Sequence, residues 1–335
     1  MEMKKLFKVM IVVGVAMLWI TGSLMSAHGA PVTIRTVSAW PATTFEAKQF
    51  INGFLEPAQK EADQKYPGQM KIDYKGAGEV IQPTQQVEAL RSGMVDMVLS
   101  AASYYVSIMP EMDTMSLTMM QPWEERKAGV TDYLERIHNT KAKAHYLGRL
   151  GSGSLFHLFM TKPVQKVDDF KGMKIRVSPT HIPFMKALGA EPVVTAPAEI
   201  YTAIERGVVV GYIQPPVVIR DLGLVPVTKY MVYPGFYQPI IVVLVNLDFW
   251  NKLPNNLKTL LTQNIEKAEH IAIENIQNRV KSELDAFKKD GIGFIEFPPA
   301  EAARFSKMAD EALMDVVTKK SPEEAKKIKE LTTKK

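Results

Sequence analysis

The stretch Tyr201-Thr202-Ala203-Ile204-Glu205-Arg206-Gly207-Val208-Val209-Val210-Gly211-Tyr212-Ile213 makes three structural statements in a row. Ala203 and Ile204 give the end of a helix its packing face. Gly207 closes that helix, because the left-handed backbone common at helix C-termini favours a residue without Cβ. Val208 to Ile213 is then an apolar run, the pattern of a strand buried on both faces. The same order occurs earlier. Val87-Glu88-Ala89-Leu90-Arg91-Ser92-Gly93 ends a helix, and Met94 to Leu99 follows as a strand. The two units lie about a hundred residues apart and their surroundings do not match. They indicate two α/β domains of similar construction rather than a true repeat.

Working outward, Val32 to Val37 and Met70 to Tyr74 read as strands. Between them Thr43 or Thr44 caps a helix reaching about Lys65, with Phe45, Phe50 and Phe54 on one face. Pro57 lies inside that pattern and is expected to kink or split it. In the second half, Lys174 to Val177 is a strand, Thr180 to Leu188 a short helix stopped by Gly189, and Pro192 to Val194 a strand. Pro197 opens the next helix at a favoured position. Asn255 or Asn256 caps a long helix. Its stripe runs through Leu257, Leu261, Ile265, Ala268, Ala272, Ile276, Val280, Leu284 and Phe287, up to Gly291. Roughly thirty helical residues span about 45 Å, which is wider than one small domain, so this helix is expected to lie across both. Gly148-Arg149-Leu150-Gly151-Ser152-Gly153 reads as a flexible interdomain connection, and the tail from Lys319 as a charged helix or frayed end.

Composition narrows the function classes. The chain has 335 residues, 46% hydrophobic and 23% charged, as in a globular protein of two domains. There is no cysteine, which excludes disulfides, thiolate catalysis and cysteine-held metals. The net charge of +5 comes from 41 basic and 36 acidic residues spread along the chain, not from a nucleic-acid-binding patch. Lys4, Lys5 and Lys8, the apolar run Val9 to Met25, and Ser26-Ala27-His28-Gly29-Ala30-Pro31 have the three-part layout of a secretory signal peptide. Residues 1–29 are assigned to it, with cleavage between Ala27 and Ala30; after Gly29, Ala27 and Gly29 would supply the small residues at −3 and −1. An uncleaved anchor usually needs ~20 apolar residues. The exported chain is then expected in the periplasm, without a membrane anchor.

No catalytic constellation is visible. His138, His145, His157, His181 and His270 make no pair at metal-ligand spacing, and there is no HExxH, Walker loop or G-x-S-x-G. No metal, cofactor or catalytic residue is therefore expected. His157, between Phe156 and Leu158, reads as a satisfied buried histidine. A secreted α/β enzyme, the reading from another class, would need an activated nucleophile or general base that the sequence does not offer. Open α/β sheets bind ligands beyond the carboxyl ends of their strands. Those positions here are Ser38 to Trp40, Ser100 to Tyr105, Arg176 and Gln214. Arg176 alone is charged, and a guanidinium fork matches a carboxylate with two parallel hydrogen bonds.

Asp168-Asp169-Phe170-Lys171-Gly172-Met173-Lys174-Ile175-Arg176-Val177 resembles the signature of the solute receptors of tripartite ATP-independent periplasmic (TRAP) transporters. Ala187 to Pro192, Glu199 to Ile204 and Gly207 to Gly211 continue it in order, and Trp250 to Pro254 with the long helix extends it. The resemblance implies a two-lobed, periplasmic-binding-protein-like α/β fold with a cleft between the lobes and the long helix spanning both. On it, residues 30–153 plus 240–279 form lobe I, and 154–239 plus 280–335 form lobe II. It also implies that Arg176 salt-bridges the ligand's carboxylate, that the lobes close, and that the loaded receptor docks on the small and large membrane subunits of a TRAP permease.

Gln214 stands where the family often has Asn, and can donate a similar amide bond. A cation-binding Glu-Trp pair of one subgroup is replaced by Ile213-Gln214. Positions that serve sugar acids in relatives read Ala101, Tyr104 and Phe156. The candidate ligand contacts are therefore Arg176, Gln214, Ser38 and Ser100, with Trp40, Tyr104, Phe156, Phe236 and Tyr237 as walls. The ligand is expected to be a monocarboxylate with an apolar or aromatic body. A C4-dicarboxylate or a sugar acid stays open, as does service to a sensor or an ATP-driven importer instead of a TRAP permease. Mass spectrometry of chain recovered from the periplasm should find a first residue between 28 and 30; an intact residue 1 would overturn the signal reading.

Overall fold

The computed structural model describes residues 31–151 and 153–333, so the signal reading lies outside the described residues. Eleven strands form two sheets: β1 Val32–Ser38, β2 Met70–Tyr74, β3 Met97–Ala101, β4 Ala144–Gly151, β5 Phe156–Met160, β6 Lys174–Val177, β7 Glu191–Val194, β8 Gly211–Gln214, β9 Tyr230–Phe236, β10 Ile241–Asn246 and β11 Gly293–Glu296. Lobe I is the sheet β2-β1-β3-β10-β4, and lobe II the sheet β11-β9-β5-β8-β6-β7. The chain leaves lobe I after β4 and returns with β10, which inserts antiparallel between β3 and β4. Each sheet is thus mixed: βαβ units give parallel pairs such as β1 with β3 and β6 with β8, and the crossing strands run against them.

Both helix–glycine–strand units end in the same motif. Gly93 and Gly207 have φ of 75° and 67°. Each donates to the carbonyl three residues back, and the next residue donates five back: Met94 to Ala89 and Val208 to Ala203. This doubly bonded cap satisfies the last helical carbonyls. It also delays the strands. Met94 and Val208 are exposed at the turn, and pairing begins only at Met97 and Gly211, three residues later than the apolar runs suggest.

Pro57 does not split its helix. The segments Phe45–Phe50 and Glu56–Lys65 are joined by a π-helical turn, Ile51–Leu55, closed by the Glu56 N–H on the Ile51 carbonyl. A wide turn before a residue without N–H lets the helix continue. Thr44 is the cap, its hydroxyl accepting from the Ala47 N–H.

The Gly148–Gly153 segment is not a flexible connection where it is described. Residues 148–151 belong to buried β4, and Arg149 is wholly enclosed. Its guanidinium donates to Glu125 Oε1 at 2.5 Å, the Met120 carbonyl at 2.7 Å and the Gly151 carbonyl at 3.1 Å. Gly148 is needed for close approach instead.

The helix Asn255–Lys289 crosses between lobes as the sequence suggests. Leu257, Leu261, Ile265 and Ala268 join the lobe I core, Ile276 packs with Val217 and Val218, and Phe287 joins the lobe II core. Full burial of each large aliphatic side chain stabilises by roughly 1.5–3 kcal/mol. The helix Pro322–Thr333 bridges as well: Ala325 sits in the lobe II core and Ile328 in that of lobe I, so the chain end is not confined to lobe II. A Cβ on Gly148 would lie 2.5 Å from Glu269 Oε1 and 2.7 Å from Ile265 Cγ1, both on the long helix. Gly148→Ala is expected to cost about 1–3 kcal/mol by overpacking, read as a lower urea midpoint.

Candidate functional site

Arg176 is the third residue of β6, paired to Val193 of β7 and Tyr212 of β8. Its side chain is 1% exposed. Nε donates to the Thr195 carbonyl at 3.0 Å, and Nη2 reaches the same oxygen. One edge of the guanidinium is therefore pinned to its own lobe. Burial lowers its pKa, and the nearby Tyr104 hydroxyl of lobe I opposes this. Among the described residues, no carboxylate forms an ion pair with it. A buried charge without a counter-charge is costly unless a ligand supplies one.

Arg176 lines a cavity of about 40 Å³ between the lobes. The walls come from strand ends: Trp40 after β1, Ala101 to Tyr104 at the end of β3, Ser178 to His181 after β6, and Gln214 at the end of β8. Phe156 at the start of β5, Glu46, Ser116 and the crossover Pro239 to Ile241 add to them. Trp40 and Tyr104 lean together with ring centroids 6.1 Å apart, and Phe156 meets the His181 ring edge-on at 4.5 Å. Thr180 Oγ1 donates to Asp113 Oδ1 at 2.7 Å, joining a lobe II loop to a helical turn packed on lobe I. No group of three or more potential metal ligands occurs among the described residues.

Residues 42–320 match the profile of the family described as bacterial extracellular solute-binding protein, family 7. The chain belongs to this family. A curated relative, the monocarboxylate 2-oxoacid-binding periplasmic protein of Nostoc sp., is 25% identical over 240 residues. The match covers 68% of this chain and 63% of that protein, less than two thirds of the relative's length. An extracytoplasmic solute receptor of Bordetella pertussis, binding pyroglutamic acid, superposes with a TM-score of 0.79 at 16% identity, over 90% of this chain and 100% of that one. A TRAP solute-binding protein from a marine metagenome, specific for aromatic acid ligands and in complex with 3-hydroxybenzoate, gives 0.74 at 20% identity, over 91% and 99%. The family fold is two-lobed, as observed here.

Within this family 7 chain, the structure brings Arg176, Gln214, Trp40, Tyr104 and Phe156 to one cavity. The other four candidates lie outside its lining. Ser38 shapes the loop beneath Trp40: its hydroxyl accepts from the Trp40 N–H at 3.0 Å and donates to the Trp40 carbonyl at 2.5 Å. Ser100 is buried within β3. Phe236 packs on Phe184 and Phe305 in the lobe II core, and the Tyr237 hydroxyl donates to the Ala309 carbonyl. The end of strand β9 and the residue after it turn these two rings behind the wall. His157 is buried as expected, its Nδ1 3.0 Å from the Val232 carbonyl and its pKa pushed down to about 4 by burial.

Two titratable lining residues escaped the sequence reading. His181 has Nδ1 2.9 Å from Ser178 Oγ, and Nε2 has no partner. Burial, and then Arg176, push its pKa down to about 3, so the imidazole is neutral. The strand-end rule that selected Arg176 would have admitted it, had the rule been extended one turn. Glu46 is the other. An acid in a first helical turn ordinarily complements the helix dipole in water, so nothing in its position marks it.

Asp113 is held by burial at a pKa of about 7, against an ordinary 3.8. An acid raised in the folded state is kept protonated there, so stability is full below its unfolded pKa and falls as pH rises towards the folded value. Asn can accept the Thr180 bond without this cost. Asp113→Asn should gain stability over the parent between pH 4 and 7 in urea titrations, then hold a constant margin; a margin independent of pH would refute it.

Proposed function

We propose that the chain is a periplasmic receptor that captures a small monocarboxylate with an apolar or aromatic body between two closing lobes and delivers it to a TRAP-type permease. One observation carries the reading: a buried guanidinium in the interlobe cavity, without an ion-pair partner among the described residues. A ligand carboxylate is the counter-charge that fits it, since the fork donates two parallel hydrogen bonds that a carboxylate accepts. Gln214 can add an amide donor. No lysine or second arginine lines the cavity, which argues against a dicarboxylate. Trp40, Tyr104 and Phe156 offer aromatic surface, worth about 0.5–1.5 kcal/mol per contact beyond area. The relatives that bind 2-oxoacids, pyroglutamate and hydroxybenzoate are in keeping with one carboxylate on a compact body.

A thermal-shift screen of the exported protein against a carboxylate panel should find binders, since a ligand at a hundredfold its Kd adds about 2.7 kcal/mol. Arg176→Ala should then weaken binding by well over tenfold in calorimetry, from about 2–5 kcal/mol for a lost buried charge partner, with the fold intact. Arg176→Lys should also lose affinity, because an ammonium lacks the two-pronged geometry. Unchanged affinity in a folded Arg176→Ala protein would refute the anchor. A C4-dicarboxylate bound far more tightly than any monocarboxylate would refute the ligand class alone.

A further inference from the structure

Glu46 enters the same cavity from lobe I, on the helix that follows β1. It is 7% exposed, and Oε2 has no hydrogen-bond partner among the described residues. The side chain also borders a second cavity, lined by Gln49, Ser154 and Val217, that shares Glu46, Pro215, Pro239 and Ile241 with the first. The charged groups that act on it are Asp221 and Arg279. Arg279 is engaged with Asp221 at 3.0 Å and Glu283 at 2.8 Å, and no ion pair joins it to Glu46 among the described residues. Tyr104 feels both Glu46 and Arg176, and all three line the one cavity. A buried carboxyl with an unused oxygen and no available cation costs stability unless a ligand completes it.

We infer that Glu46 is the lobe I contact for an uncharged polar group of the ligand, so that the bound acid carries an oxo or hydroxyl group besides the carboxylate held by Arg176. This rests on the receptor reading above. Burial raises the pKa of Glu46 to about 8, so it enters the complex as a carboxylic acid. In that form it donates one hydrogen bond to an oxo oxygen, or exchanges one with a hydroxyl. A second ligand carboxylate would meet no cation there. Closure would bring Arg176 and Glu46, on opposite lobes, onto opposite ends of one small molecule.

The test is calorimetry with pentanoate, its oxo and hydroxy derivatives at carbons 2, 3 and 4, 2-aminopentanoate and glutarate, on wild type, Glu46→Met, Glu46→Gln and Arg176→Ala. At least one oxo or hydroxy acid should bind wild type tenfold or more above pentanoate. Glu46→Met should erase that margin and leave pentanoate within threefold, while the unliganded variant melts no lower than wild type. Glu46→Gln should keep part of the margin. The inference is overturned if the margin survives in Glu46→Met, if every acid weakens equally there, or if glutarate binds best. It is also overturned if 2-aminopentanoate binds best and Glu46→Gln abolishes it, which would make Glu46 a cation site. Failure of the receptor reading looks different: Arg176→Ala would leave pentanoate unaffected. Wild type binding none of the acids would overturn both.

Discussion

A guanidinium enclosed at the end of a central strand, its charge unmatched by an ion pair among the described residues, is the constraint around which the molecule is arranged. In water Arg176 would be well solvated at no cost. Between the lobes it donates to the Thr195 carbonyl on one edge, with Tyr104 nearby and Glu199 acting on it without an ion pair among the described residues. The surroundings follow from this. His181 is kept neutral, which avoids a second cation beside the first. Glu46 lies across the cavity and, being protonated, does not neutralise the arginine in the ligand's place. The site is thus short of one negative charge and otherwise polar but uncharged.

That electrostatic gap is useful only if two separately folded lobes meet over it. The chain supplies this by crossing and returning. Strand β10 is stitched between β3 and β4 in lobe I, while β5 runs between β8 and β9 in lobe II. The long helix then fixes the lobes to one another from outside, contributing leucines to one core and Phe287 to the other. Behind it lies an ionic layer of buried Arg149 with Glu125 and half-buried Arg126 with Glu269, and the Arg149 backbone N–H donates to Glu269, seating the helix on β4. Such groups are more valuable for register than for net stability. Across the cleft itself, Thr180 donates to Asp113.

The α/β units, the capping glycines and the long bridging helix were legible because each depends on neighbours within about four residues along the chain. Gly207 must cap what Ala203 and Ile204 begin, whatever surrounds it. Arg176 was legible for a related reason: ligand sites of open sheets gather at strand ends, and one arginine stood at such an end. The resemblance to TRAP receptors then implied a role for that arginine, and the structure places its side chain in the interlobe cavity.

What remained hidden depended on which way a side chain turns once sheets pack. Phe236 and Tyr237 look like wall residues in sequence, yet the chain at the end of strand β9 delivers them to the core around Phe184 and Phe305. The glycines at 148 and 151 look like a hinge, but Gly148 is small because Glu269 and Ile265 of a distant helix press on it. Glu46 looks like a solvated helix-end acid, and only the meeting of two lobes strips it of water. Local backbone preference and hydrophobic period act within one segment and can be read from the chain alone. Burial, orphaned hydrogen bonds and shifted proton affinities arise between segments far apart in sequence, so the tertiary structure alone decides them.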